Sequence, residues 1–169
     1  KNYDETEKYL AGLMEEKIGT IRDYVMTDSD VINAIINSKL SEASEKGIDV
    51  RASVGREIGG TDEYGLSVAL ANLLDNAIEG CMRIHGERKM YFEMFVDGEY
   101  LKVFVKNTYD KSGIDLETRK ENKKLHGFGV KSIKEFSEKN DGFVNFYEEN
   151  DEFCANMWII ANKSCLFTS

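Results

Sequence analysis

The sequence is short of basic residues and of long hydrophobic runs. It holds 22 Lys and Arg against 31 Asp and Glu, which gives a formal net charge of -9 over 169 residues. Non-specific nucleic-acid binding needs a basic face, so this balance argues against a nucleic-acid partner. No run of about 18 apolar residues occurs, which excludes a helix that spans a membrane, and no signal peptide is visible.

Cysteine is also scarce. The three cysteines, Cys81, Cys154 and Cys165, are an odd number and lack the spacing of a metal site. The settings of Cys81 and Cys154 are typical of small apolar core residues in a reducing compartment. The sequence therefore predicts neither a disulfide framework nor a cysteine-bound metal.

The rest of the composition fits one globular domain, because 41% of the 169 residues are apolar. Residues 3–25 place apolar side chains three and four apart, which predicts an amphipathic helix. This helix either packs on the domain or forms the end of a dimerising helical hairpin. Since the chain begins inside it, we expect a piece of a longer protein. We predict boundaries at 1–26 for the helical part, 27–162 for the main domain and 163–169 for a tail.

The order of the predicted elements indicates the fold class. A helix that starts at Thr27-Asp28-Ser29-Asp30 and stops at Gly47 precedes a strand, a helix, a hairpin, a long polar loop, a helix and a second hairpin. These elements are predicted at 48–54, at about 61–85, at 90–96 with 100–106, at 108–126, at 127–139, and at 143–148 with 153–161. We expect an α+β fold, a two-layer α/β sandwich whose mixed, mostly antiparallel sheet has helices on one face.

The most informative stretch of the chain reads LANLLDNAIEG. Within it, Asn72 and Asn76 lie four residues apart and therefore share one helix face, with Asp75 and Glu79 beside them. A carboxamide oxygen is a hard ligand that suits magnesium. A buried asparagine taken alone is more often a capping or core hydrogen-bonding group. The whole string instead predicts side chains positioned for a metal-phosphate ligand.

A second string, LHGFGVKSI, begins the next predicted helix with Gly127 and Gly129. Glycines let the backbone approach a phosphate, and a helix N-terminus offers free N–H donors. Glycines at such a junction also occur for turn geometry alone. Lys123 and Lys124 lie close to these glycines in sequence. They either contact phosphates or are solvated residues of a loop. His126 directly precedes the glycine turn.

Asn107 ends the predicted strand VFVKN. Its amide both donates and accepts hydrogen bonds, which suits the edge of an adenine base. The alternative is an asparagine that simply terminates a strand in a turn.

Together these motifs resemble a known family. NLLDNAIEG resembles the N box of the GHKL ATPase and kinase superfamily, and HGFGVKSI resembles its second glycine box. The resemblance covers about residues 48–160 and is greatest to the catalytic domains of sensor histidine kinases of the peptide-pheromone, quorum-sensing type. It implies the Bergerat, or GHKL, ATP-binding fold for the main domain, a dimerisation hairpin before it, and a mobile ATP lid at 108–126.

The resemblance also implies roles for single residues. Asn76 matches the magnesium ligand, and Asn72 stands where ATP-hydrolysing relatives have a glutamate base, which an amide cannot replace. Asn107 stands where the family has an aspartate that binds adenine, so nucleotide affinity is expected to be modest. The residues implied in ATP binding are Asn72, Asn76, Glu79, Asn107, Lys123, Lys124, His126, Gly127, Phe128, Gly129 and Val130.

The function implied is the transfer of the γ-phosphoryl group of magnesium-ATP to a histidine on an upstream dimerisation helix. A response regulator would then receive the phosphate, and the full-length protein would be a homodimer anchored in the membrane with this domain in the cytoplasm. Neither His85 nor His126 has the setting of the acceptor, so this chain alone is not expected to autophosphorylate. Two alternatives stay open, a degenerate or nucleotide-binding regulatory module that contacts partner proteins, and an anti-sigma-factor-like serine kinase.

Overall fold

The computed structural model describes residues 25–109 and 118–161, and over 118–128 it describes the backbone without the side chains. The predictions for the N-terminal helix, for the tail and for part of the lid therefore lie outside the described residues.

Three helices and five strands occupy the described part of the chain. They are α1 (Asp30–Glu45), β1 (Asp49–Val54), α2 (Glu63–Met82), β2 (Lys89–Asp97), β3 (Tyr100–Thr108), α3 (Thr118–Lys139), β4 (Phe143–Glu149) and β5 (Glu152–Ile160). The order of helices, strands and hairpins is the predicted one. Among the described residues, none of these helices has both the length and the apolar content that crossing a bilayer requires.

Local side chains explain where the first two helices begin. The Ser29 hydroxyl accepts a hydrogen bond from the Ile32 N–H at 3.2 Å, and the Asp62 carboxylate accepts one from the Gly65 N–H at 3.2 Å. Both bonds satisfy an N–H that has no partner inside its helix. Gly47, at φ +73°, follows the end of α1 in the left-handed region that glycine adopts without strain.

Two tight turns build the hairpins. The β2–β3 turn contains Gly98 at φ +60°, and the β4–β5 turn contains Asn150 and Asp151 at φ +50° and +63°. The β4–β5 turn has positive φ at both central residues, which is the type I′ geometry, whereas the β2–β3 turn has it only at its first central residue, Gly98, as in type II′. The twist of both turn types matches that of paired strands. These turns set the register, with Met94 opposite Val103 in one hairpin.

The five strands form one sheet in the order β1-β2-β3-β5-β4. Only β1 and β2 run parallel, and the other neighbours are antiparallel. The α+β sandwich with a mixed, mostly antiparallel sheet is thus confirmed. The fully buried core side chains include Ile32, Ile36, Leu70, Leu74, Phe92, Val103, Ile133 and Met157. Burying one such side chain contributes about 1.5–3 kcal/mol.

The alternate residues of each strand face away from this core, and several are aromatic. Trp158 of β5 packs its ring 5.7 Å from that of Phe143 and 6.2 Å from that of Tyr100. The Lys102 ammonium lies 4.2 Å from the centre of the Trp158 ring. We call this side of the sheet the outer face.

One predicted boundary is wrong. Helix α3 begins at Thr118, whereas the prediction placed a polar loop up to residue 126 and began the helix at Gly127. The segment TRKENKKLH consists largely of good helix formers, and each interior glycine lowers helix stability by only about 1 kcal/mol. The two glycines therefore lie within the helix and do not start it.

Candidate functional site

A cavity of about 250 Å³ opens between the helices and the inner face of the sheet. Its helix side consists of Asn76 and Gly80 of α2, Arg83 at the C-cap of α2, and Val130 of α3. Asn76, Gly80 and Arg83 lie on one face because they are three or four residues apart.

The sheet side of the cavity is an aromatic wall. Phe153 of β5 lies opposite Asn107 in the register, and Phe146 comes from the neighbouring strand β4. The ring of Phe153 is 5.8 Å from that of Tyr109 and 6.2 Å from that of Phe146, with the second pair stacked. Ring pairs at such distances attract each other, so the three side chains form one packed aromatic wall.

Asn107 lies at the bottom of the cavity and is only 3% exposed. Its Nδ2 donates a hydrogen bond to the Thr108 carbonyl oxygen at 2.9 Å. Gly80 leaves the room for this amide, because a Cβ at residue 80 would lie 2.5 Å from Asn107 Nδ2. With Nδ2 engaged on the backbone, Oδ1 is the group of this amide that can accept from a ligand.

The other two asparagines lie where α2 meets α3. A Cβ at Gly129 would lie 3.4 Å from Asn72 Oδ1 and 3.9 Å from Asn76 Oδ1. Both carboxamide oxygens thus point toward the same short stretch of α3, and both residues are half-buried. Glycine at position 129 allows this close approach.

This donor set fits magnesium only when a phosphate ligand accompanies the ion. No group of three or more His, Cys, Asp or Glu residues that could hold a metal occurs in the described part of the chain. Magnesium keeps several waters and commonly takes one or two protein ligands together with substrate phosphates. An amide oxygen beside an open cavity meets that requirement, whereas a metal caged by protein alone would need more ligands.

The carboxylates of α2 point to other partners. Asp75 Oδ1 accepts from Lys39 Nζ of α1 at 2.6 Å, and this hydrogen bond raises the pKa of Lys39. Glu79 Oε2 lies 3.7 Å from Arg83 Nη2 at the rim of the cavity. Arg83 is the one charged side chain among the described residues that line the cavity.

The structure brings together the predicted site residues whose side chains it describes. Asn76, Asn107 and Val130 line the cavity, Asn72 and Gly129 face each other beside it, and Glu79 contacts its rim. Gly129 lies inside α3, so the free N–H donors predicted for a helix start are not at this point. The predicted residues whose side chains lie outside the described ones are Lys123, Lys124, His126, Gly127 and Phe128.

Five of the eight residues that line the cavity were not predicted from the sequence. Tyr109 was detectable, because it lies two residues after Asn107 and therefore shares its side of the strand. Phe146 and Phe153 depend on how β4 and β5 pair with β3, which no local pattern gives. The missed residues are Gly80, Arg83, Tyr109, Phe146 and Phe153.

The geometry can now be compared with known proteins. A family model described as the GHKL domain matches residues 63–160, which is more than half of the chain. No match was found among curated protein sequences.

Solved structures of histidine kinases share the fold. The catalytic domain of histidine kinase ThkA is 15% identical at a TM-score of 0.61, with 79% of this chain and 92% of that chain covered. A histidine kinase from Burkholderia phymatum is 14% identical at 0.62, with 92% and 79% covered. The Acinetobacter baumannii histidine kinase AdeS is 13% identical at 0.59, with 80% and 66% covered. At these identities the likeness is one of fold.

Proposed function

The chain belongs to the GHKL family, which implies ATP binding, and we propose that it is the catalytic domain of a two-component sensor histidine kinase. One observation carries the proposal. Asn76 and Gly80 lie one turn apart on the same face of α2, and both line the cavity. Gly80 lies against the buried amide of Asn107, and the carboxamide of Asn76 is one turn earlier. That spacing suits a ligand with a base at one end and phosphates at the other.

The base end is built for a flat, apolar ring with a polar edge. Phe146 and Phe153 supply the apolar surface, and Asn107 Oδ1 can accept from the exocyclic amine of adenine. The neutral amide lacks the charge of a carboxylate, so this hydrogen bond is the weaker kind and a modest affinity is expected.

The phosphate end lies where Asn72 and Asn76 meet Gly129. Asn76 would hold magnesium through its amide oxygen, together with waters and phosphate oxygens. Bound there, the ion would neutralise charge on the phosphates, which is the main requirement of phosphoryl transfer along with positioning.

A kinase is favoured over an ATP hydrolase because the cavity lacks a base. No carboxylate lines it among the described residues, and Asp75, the nearest acidic neighbour of the asparagines in sequence, is held by Lys39. The Asn72 amide cannot take a proton from water. Phosphate transfer to a protein side chain is therefore the better-supported reaction.

The acceptor in this proposal is a histidine on a dimerisation helix upstream of the main domain. His85 lies after the end of α2 and is exposed, away from the cavity lining. The partners are then the protein's own dimerisation domain in a homodimer, and a response regulator that receives the phosphate. The full-length protein would be anchored in the membrane.

Calorimetric titration with an unreactive ATP analogue tests the binding step. We expect micromolar to millimolar affinity that is strengthened by magnesium, and we expect Asn76→Ala to remove the magnesium dependence. Asn145→Ala, an exposed asparagine on the outer face, is the matched control and should behave as wild type. Absence of any heat at saturating nucleotide would refute the proposal.

A second experiment separates a kinase from a regulatory module that only binds. The chain extended upstream through its dimerisation helix is incubated with ATP labelled in the γ-phosphate. A kinase yields a phosphoprotein that is labile to acid and stable to base, as expected of phosphohistidine. Nucleotide binding without label would favour the regulatory module, and acid-stable label would favour a serine kinase.

A further inference from the structure

Arg83 has no role in the function proposed above, yet it lines the same cavity. Its backbone N–H caps the C-terminus of α2, its side chain is 48% exposed, and Glu79 Oε2 one turn earlier lies 3.7 Å from its guanidinium. A long cationic side chain at the rim of the cavity is placed to contact either the base or the phosphates of a bound nucleotide.

The positions along α2 give the answer. Gly80 contacts the Asn107 amide and so marks the level of the base, while Asn76 marks the level of the metal and phosphates. Asn76 and Arg83 are seven residues apart, which is about 10 Å along the helix axis. Arg83 therefore lies on the far side of the base from the phosphates.

The wall opposite Arg83 strengthens this assignment. Phe153 and Tyr109 line the sheet side of the cavity, and Arg83 lines the helix side. A planar ring held by Asn107 between these two sides has aromatic carbon on one face and a guanidinium near the other. A guanidinium is itself planar and stacks on aromatic rings, which an ammonium does not do.

We propose that Arg83 is a positioning residue for the purine base, and that its guanidinium, held by Glu79, closes the cavity over the base. This inference rests on the proposed nucleotide binding and adds a contact specific to the base. It makes the affinity for adenosine, and not only for ATP, depend on residue 83.

The test measures dissociation constants for adenosine, AMP, ATP and inorganic tripolyphosphate by calorimetry. Arg83→Ala should weaken the three adenine compounds by a similar factor, about threefold to tenfold, and leave tripolyphosphate unchanged. Arg83→Lys should lose most of the same affinity, since it keeps the charge without the plane. Arg51→Ala, an exposed arginine of the outer face, is the matched control.

Each other result overturns the inference. A loss that grows from adenosine to ATP would make Arg83 a phosphate ligand, and an unchanged affinity would leave it without a role in binding. Both outcomes leave the proposed nucleotide binding intact, whereas a wild-type chain that binds none of the adenine compounds refutes that function itself. If Arg83→Ala lowers the melting temperature, Arg83→Lys decides, because it retains the aliphatic stem and the charge, while the backbone N–H that caps α2 is present in both variants.

Discussion

Replacing Gly80 by alanine should separate stability from nucleotide binding. The added Cβ would lie 2.5 Å from Asn107 Nδ2, closer than non-bonded atoms approach, so the amide must rotate or shift. A movement of Nδ2 away from the added Cβ is expected to lengthen or break its 2.9 Å hydrogen bond to the Thr108 carbonyl oxygen.

Two opposing effects set the magnitude. Alanine in a helix interior is more favourable than glycine by about 1 kcal/mol. Displacing a buried amide from its partner costs about 1–3 kcal/mol. The free energy of unfolding of Gly80→Ala should therefore lie between unchanged and about 2 kcal/mol below wild type. Loss of one hydrogen bond to the base would weaken nucleotide binding about tenfold.

Urea denaturation followed by circular dichroism gives the first quantity, and calorimetric titration with an unreactive ATP analogue gives the second. Gly86→Ala is the control, because a Cβ there meets nothing within 4 Å. Gly129→Ala is intermediate, since its Cβ would contact Asn72 Oδ1 at 3.4 Å. The expected order of lost affinity is residue 80, then 129, then 86.

A double variant checks the cause. Adding Asn107→Ala to Gly80→Ala removes the atom that clashes. In the Asn107→Ala background, Gly80→Ala should therefore change the free energy of unfolding more favourably than it does in wild type. Nucleotide affinity should not return. If Gly80→Ala alone binds nucleotide as well as wild type does, the reasoning that Gly80 positions the Asn107 amide is wrong.

Three further predictions concern other parts of the fold. Lys39→Met should lower the unfolding free energy by about 0.5–1 kcal/mol. This difference in unfolding free energy should be constant from about pH 6 to 9. Asp75 raises the pKa of Lys39, and the stabilisation from a raised lysine pKa is lost only as the pH rises through that pKa. A difference that declines between about pH 7 and 9 in urea titrations would contradict this. Burial raises the pKa of the Cys81 and Cys154 thiols, so mass spectrometry should find both unmodified by iodoacetamide at pH 8 until urea unfolds the chain. Alkylation of either thiol in the folded chain would contradict this prediction. Gly142→Ala should destabilise the chain by about 3 kcal/mol or more, because its Cβ would lie 1.9 Å from a backbone carbonyl oxygen of β5, and a soluble variant with a wild-type melting curve would refute that.

Much of the fold was predictable because its signals are local. Gly98, Asn150 and Asp151 adopt the positive φ that tight hairpin turns require, and these turns join the predicted hairpins. The beginning of α3 was mispredicted because glycine was read as a boundary, although the helix formers before Gly127 are favourable enough to continue the helix through it.

The candidate site also has one part that local sequence spacing predicts and one part that it does not. Asn72 and Asn76 share a helix face by spacing alone, and the structure brings them to Gly129. The aromatic wall was not predictable, because it needs the order β3-β5-β4, which places Phe153 beside Asn107 although the two are 46 residues apart in sequence. Arg83 was missed because it lies one turn beyond the motif that drew attention to its helix.

Trp158 is the single tryptophan of the sequence, and it lies on the outer face with Lys102 above its ring. The full thickness of the sheet separates its indole from the cavity on the other side. Its emission is therefore a built-in optical reporter of the folded state that an occupant of the cavity does not touch. Unfolding with and without nucleotide can therefore be followed by the same tryptophan fluorescence. A difference between the two unfolding curves then measures how much bound nucleotide stabilises the fold, without interference from quenching by the ligand.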